Sequence, residues 1–370
     1  MKHKSNNLIT LAKSLSYFMA ASIFFSLVSC SDHNPEPVVT IKPKTPKPTW
    51  GPTIKDEMWA VIEKLLSYGD RPIPELTPQE ARKNHTVKDA VMDLLKENGV
   101  MMPAPMVDTM GYEIPVDSGS IHARVYKPKV SSGSLPVIVY YHGGGWVIAT
   151  IDTYDASAQA LAEKVGSIVV SVEYRKGPEF KFPTAHNDAW AAYLWSIKNA
   201  ASFGGNPSKM AVAGESAGGN LAANVSIMAR DSNKQMPMHE LLVYPVAGSD
   251  LNTESYIKYA NAKPLDKPSI IWFLGHYLND VAKESKDPRI DLVHANLKGL
   301  PSTTIISAEI DPLQTEGGIL ETKLSEAGVS VTRKLYVGTT HEFFGTAILV
   351  PDARDAQDYA ASELKKALNK

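Results

Sequence analysis

The stretch Lys209-Met-Ala-Val-Ala-Gly214-Glu215-Ser216-Ala217-Gly218-Gly219-Asn220-Leu221 decides how this chain is read. Residues 210–213 form a short apolar run, the composition of a strand buried on both faces of a parallel sheet. Gly214 and Gly218 bracket Ser216, and residues 220–228 continue with helical composition. Strand, tight turn and helix in that order are the setting of a nucleophile elbow. A serine held there sits on a turn so sharp that only small neighbours clear the adjacent strand and helix. Its hydroxyl then stands free of the sheet, and the first amides of the new helix point at the same spot. The plain alternative is a serine capping the helix from Ala217, so the rest of the chain has to decide.

Around that centre the pattern is regular. Residues 137–141 (Val-Ile-Val-Tyr-Tyr) are a fully apolar strand that delivers His142-Gly143-Gly144-Gly145-Trp146. Residues 167–172 form a β-branched strand after a helix near 156–164, and a further helix is expected over 184–199. Strands follow at 240–244, 302–307 and 332–337, with helices near 317–327 and 352–368. This alternation means a mostly parallel sheet with helices on both faces, an α/β fold. Upstream, residues 112–116 and 121–126 alternate around Asp117-Ser-Gly-Ser, a hairpin signal. Helices are expected over 53–68 and from Thr77-Pro-Gln-Glu80, a helix start that runs, whole or as a broken pair, to Asn98-Gly99. Residues 53–100 and a helical insertion over 246–287 are read as the pieces of a cap, within one domain spanning 53–370.

The N-terminus reads as an address. Lys2, Lys4 and Lys13 precede an apolar run over residues 15–28, short for a lone membrane span. It ends in Leu27-Val28-Ser29-Cys30, which resembles the lipobox of bacterial lipoproteins: residues 1–29 would be the signal peptide and Cys30 the lipidated first residue. Cys30 is the sole cysteine, so no intramolecular disulfide is available. Pro35, Pro37, Pro43, Pro46, Pro48 and Pro52 make residues 30–52 an expected extended, solvated tether of up to about 3 Å per residue. The expected location is the cell envelope, anchored to a membrane through lipid. A formal net charge of −2 with 21% charged residues offers no basic patch for nucleic acid.

Functional groups of doubly wound sheets gather at the carboxyl ends of strands. Past 302–307 stands Ala308-Glu309-Ile310-Asp311-Pro312-Leu313, and past 332–337 stands Gly338-Thr339-Thr340-His341-Glu342-Phe343. The chain order Ser216, Asp311, His341 is that of an α/β-hydrolase, not of the chymotrypsin or subtilisin layouts. Asp311 is preferred as the acid because it lies beyond the strand end, with Glu309 as its rival. His186, His239, His276 and His294 compete poorly with His341, falling inside helical stretches or before strands. Three successive glycines let backbone N–H groups approach a ligand, so Gly144, Gly145 and Ala217 are the expected oxyanion donors. His142 reads as a structural hydrogen-bonding residue.

On these residues the chain resembles the hormone-sensitive lipase-like, or bacterial family IV, esterases. The matching motifs are His142-Gly-Gly-Gly-Trp146, Val172-Glu-Tyr-Arg-Lys-Gly-Pro-Glu179 with Phe182-Pro183, Gly214-Glu-Ser-Ala-Gly-Gly-Asn220, Asp311-Pro-Leu313 and His341-Glu-Phe343. The resemblance implies the α/β-hydrolase fold with an eight-stranded sheet and a helical cap, and hydrolysis of short to medium acyl esters by Ser216, Asp311 and His341 without metal or organic cofactor. A homodimer is compatible with it. Three positions depart from the family: Thr315 where Asp is usual, Lys176-Gly177 in place of Leu-Ala, and Glu342 in place of Gly. Glu342, beside the expected base, would raise the histidine pKa or narrow the pocket. Two further functions fit the same fold: deacetylation of polysaccharide, and ligand binding without turnover as in plant gibberellin receptors, which resemble the family but lack the histidine that this chain keeps.

Overall fold

The computed structural model describes residues 41–369; the leader expected over 1–29 and Cys30 lie outside the described residues. The strands are β1 (Val107–Val116), β2 (Gly119–Pro128), β3 (Leu135–Tyr141), β4 (Ile168–Glu173), β5 (Gly205–Glu215), β6 (His239–Val243), β7 (Ser302–Ile310) and β8 (Val331–Thr340). They form one eight-stranded sheet in the order β1-β2-β4-β3-β5-β6-β7-β8. β1 and β2 are the expected antiparallel hairpin, closing at Val116 opposite Gly119 with Ser118 at φ 63°. β2 also runs antiparallel to β4, and every pairing from β4 to β8 is parallel.

Around the sheet lie α1 (Asp56–Ser67), α2 (Pro78–Ala81), α3 (Val87–Glu97), α4 (Asp155–Val165), α5 (Thr184–Asn199), α6 (Ala217–Asp231), α7 (Glu254–Lys258), α8 (Lys267–Tyr277), α9 (Val281–Glu284), α10 (Gln314–Glu326) and α11 (Pro351–Leu368). The sheet divides two apolar cores through the period-two alternation of its strands. On β3, Val137, Val139 and Tyr141 enter the core shared with α5, α6 and α10, whereas Ile138 and Tyr140 enter the core shared with α1, α4 and α11. β5 alternates in the same way, with Val212 on one side and Ala211 and Ala213 on the other.

Thr77 opens α2 through a capping box with Glu80, as its sequence requires, and a second box between Thr86 and Asp89 opens α3. Two competing N-caps therefore split the stretch into a broken pair. α1 buries Met58, Val61 and Ile62 in the core. The Pro-rich stretch differs from the expected free tether over its final residues. The amides of Lys44 and Thr45 donate to Glu63 at 2.8 and 2.6 Å, and the Trp59 indole donates to Thr45 O at 3.1 Å. Ile41 is buried and Trp50 packs edge-on against Trp59. Proline content signals an extended backbone, but it does not reveal a carboxylate waiting on α1, so Ile41, Thr45 and Trp50 already pack against the body expected from 53.

Candidate active site

The carboxyl ends of the parallel strands bring the expected groups to one edge. Ser216 follows β5 and precedes α6, with φ 56° and ψ −120°. A non-glycine residue seldom adopts positive φ, and such strain concentrates at functional turns. The turn is held by Ser216 N–H donating to Val243 O at 2.9 Å, and by Ser216 O accepting from Asn220 and Val246. Gly218 is required by close approach: a Cβ there would lie 2.0 Å from Tyr141 O. Ala217 is the first residue of α6, where amides lack intrahelical partners.

Asp311 and His341 meet because Ile310 and Thr340 are register partners at the ends of β7 and β8. The next residue on each strand leaves the sheet together with its partner. The His341 Nδ1–H donates to Asp311 Oδ2 at 2.6 Å, and Asp311 Oδ1 accepts the Leu313 amide at 2.9 Å. Both side chains are buried. Burial opposes the imidazolium, but the charge and hydrogen bond of Asp311, with the charges of Glu342 and Glu215, outweigh it and raise the His341 pKa above its ordinary value. The rival acid Glu309 is engaged elsewhere: it accepts the Gly338 amide at 2.7 Å and the Thr53 hydroxyl at 3.0 Å.

Gly144 and Gly145 follow β3 with φ 100° and 59°. The Gly144 carbonyl accepts from the amides of Val147 and Ile148 at 3.0 and 2.9 Å, which pins the loop. His142 is buried, stacks on Tyr174 at 4.3 Å and donates from Nδ1 to Gly143 O at 2.7 Å. Burial pushes its pKa down to about 4, so it is neutral at pH 7. Among the competing histidines, His186 lies in α5 between Asn220 and Tyr277, and His239 contacts Ser302 and Thr304 on β7. Neither borders the cavity at this edge.

That cavity has a volume of about 810 Å³ and is lined by Ser216, His341, Gly144, Gly145 and Glu342. Its apolar walls come from both segments expected to form a cap: Leu65, Leu66 and Ile73 from the first, and Leu251, Phe273 and Leu274 from the second. Sequence reading did not single out Phe273, Arg82 or Tyr154. Arg82 clamps Glu179 with two hydrogen bonds and also donates to Val147 O and Gly177 O. No local pattern marks such residues, because their role depends on segments far apart in the chain. At the departures, Lys176 pairs with Glu173, and Thr315 exchanges hydrogen bonds with Ser255 of α7 at 3.1 and 3.0 Å. Among the described residues no group of three His, Cys, Asp or Glu side chains is arranged to hold a metal.

Comparison with known proteins identifies the fold and the family. A family model described as the alpha/beta hydrolase fold matches residues 138–345. The carboxylesterase NlhH of Mycobacterium tuberculosis is 40% identical over 264 residues, 70% of this chain and 82% of that protein. The ethyl acetate hydrolase of Pseudomonas putida is 30% identical over 64% of this chain and 76% of its own length. The crystal structure of EstE1, a thermostable carboxylesterase from a metagenomic library, superimposes with a TM-score of 0.73 at 36% identity, over 80% of this chain and 98% of that one. Motif order, sheet topology and these likenesses agree: the chain belongs to the α/β-hydrolase fold family, within its hormone-sensitive lipase-like, family IV esterases.

Proposed function

We propose that this chain is a serine carboxylesterase that cleaves short to medium acyl esters through an acyl-enzyme. The observation that carries the reading is the buried His341–Asp311 pair, whose His341 lines the same cavity as Ser216. His341 takes the Ser216 proton as the oxygen attacks the ester carbonyl, and Asp311 holds the imidazole and stabilises its charge. The amides of Gly144, Gly145 and Ala217 receive the developing oxyanion. Collapse breaks the bond to the alcohol, which leaves with the proton from His341. Water, deprotonated by His341, then attacks the acyl group, releasing the acid and restoring Ser216. The apolar walls of Leu65, Ile73, Leu251 and Phe273 support an acyl chain of modest length.

Hydrolysis of p-nitrophenyl esters, from acetate to long acyl chains, by the chain from residue 31 onward tests this beside Ser216→Ala. Activity peaking at short chains and abolished by the substitution is expected. Turnover that survives Ser216→Ala would overturn the serine mechanism. Inactivity on every chain length, with turnover of acetylated polysaccharide, would identify a deacetylase. Binding without any turnover would identify a receptor on the same fold.

The sequence of the first thirty residues supports a second proposal, that the mature chain begins at Cys30 and carries lipid there. Leu27-Val28-Ser29-Cys30 follows an apolar run with lysines before it. The chain would then work at the surface of a bacterial membrane.

A further inference from the structure

Glu342, the residue after His341, stands at φ 63° and ψ 12°, in the left-handed region that disfavours side chains. Its Oε1 accepts the hydroxyl of Tyr154 at 3.0 Å. Tyr154 is buried at the start of α4. Its phenol end is seated on bare backbone: a Cβ on Gly143 would lie 2.3 Å from the Tyr154 oxygen and 2.8 Å from Cζ. Gly143 leads directly into Gly144 and Gly145. One hydroxyl therefore spans the loop that carries the expected oxyanion donors and the loop that carries the expected base.

The groups facing His341 come from four directions. Asp311 comes from the turn after β7, Glu215 from the end of β5, and the Tyr244 ring, 4.5 Å from the imidazole, from the turn after β6. Glu342 comes from its own loop. Glu215 is buried and accepts the hydroxyls of both Tyr140 and Tyr244. Asp311 is committed to His341 and to the Leu313 amide. Of the three carboxylates, Glu342 alone lines the cavity.

We propose that Tyr154 and Glu342 are a positioning pair for the reaction: their hydrogen bond fixes the glycine loop against the His341 loop, and keeps a carboxylate at the cavity wall beside the imidazole. The proposal rests on the ester-hydrolysis reading of the site. The pair sets the spacing between the N–H donors and the proton acceptor, on which the attack depends. The Glu342 charge favours the imidazolium formed as Ser216 gives up its proton. Glycine would take this left-handed backbone without strain, so Glu342→Gly separates a role in turnover from a role in stability.

The test uses the full-length protein on p-nitrophenyl acetate, with Tyr154→Phe, Glu342→Gln, Glu342→Gly and the double variant Tyr154→Phe/Glu342→Gln. Each single change is expected to lower kcat about tenfold with KM within about twofold. The double variant is expected to be no slower than the slower single, because both break one unit. Glu342→Gln and Glu342→Gly should move the acidic limb of kcat/KM to lower pH by about half a unit, whereas Tyr154→Phe leaves it in place. Glu342→Gly relieves the left-handed backbone, so its thermal stability should hold or rise while kcat falls, which a purely structural role would not produce. Wild-type kcat and an unshifted limb in both Glu342 variants would overturn the pair, as would additive losses in the double variant. A wild type without ester turnover would overturn the underlying reading as well, whereas an active wild type with indifferent variants overturns the pair alone.

Discussion

His341 Nδ1 lies 2.6 Å from Asp311 Oδ2, in a pair created by the register of Ile310 opposite Thr340. Burial works against protonation of His341, but Asp311, with the charges of Glu342 and Glu215, outweighs it and the pKa rises above the ordinary histidine value. A general base acts only when neutral, so the acidic limb of kcat/KM should lie above the usual histidine range. Asp311→Asn keeps the shape but removes the charge and favours the wrong tautomer. It should lower kcat by about three orders of magnitude and shift the limb to lower pH. A pH–rate profile on one short ester checks both. A limb that stays where it was would remove Asp311 from any electrostatic role.

Ser216 and the glycine loop follow strands whose apolar runs are plain in sequence, whereas Asp311 and His341 stand four residues past the strands read at 302–307 and 332–337, the second of which is a mixed Thr-Arg-Lys-Leu-Tyr-Val. Glu309 is harder to dismiss from sequence, since it lies only two residues from Asp311. Structure separates them at the register shift between Ala308 and Ile310, where Glu309 turns to the Gly338 amide and Thr53. The hairpin strands are longer than their alternating cores suggest, reaching Val107 and Pro128, because ladder hydrogen bonds extend pairing past the apolar residues. The Tyr154–Glu342 contact joins residues 188 positions apart, and the Glu63 carboxylate that captures Lys44 and Thr45 lies 19 and 18 residues beyond them. Neither contact has a local pattern to announce it.

Two glycine substitutions should separate strictly required from merely tolerated positions. At Gly218 a Cβ would meet Tyr141 O at 2.0 Å and His142 O at 2.5 Å, both backbone atoms that cannot step aside. Gly218→Ala should cost roughly 3 kcal/mol or more, or prevent folding. At Gly275, within α8, a Cβ would meet no atom within 4 Å. Gly275→Ala should stabilise the protein by about 0.5–1 kcal/mol through helix propensity. Denaturant midpoints measure both. Equal effects would mean that the crowding at Gly218 is relieved by an easy backbone shift.

The proposed lipidation at Cys30 has a direct readout. Cells fed an alkyne-bearing fatty acid should incorporate it into the wild-type chain, and the protein should fractionate with membranes. Cys30→Ala should abolish the label and release the protein from the membrane fraction. Because the proposed active-site residues lie between Gly144 and His341, far along the chain from Cys30, ester hydrolysis by the variant should be retained. Unlabelled wild-type protein, or a Cys30→Ala variant still held on membranes, would replace the lipid anchor with an uncleaved helix or an ordinary signal peptide.

Glu240 is fully buried in β6, with Thr303 Oγ1 donating to its Oε1 at 2.7 Å. Burial pushes its pKa up to about 7, above the ordinary 4.5. In the unfolded chain the group loses its proton near pH 4.5, whereas in the folded protein it keeps it to about pH 7. The unfolded state therefore binds fewer protons across that window, and stability falls as pH rises from about 4.5 to about 7. The contribution is fully present below the unfolded pKa and is lost once pH has passed the folded one. The shift corresponds to about 3 kcal/mol over the window. Glu240→Gln retains an acceptor for Thr303 and has no proton to lose, so it should flatten this part of the pH–stability curve and raise the melting temperature at pH 8. Parallel curves for wild type and variant between pH 5 and 8 would show that Glu240 ionises in the folded protein as readily as in the unfolded chain.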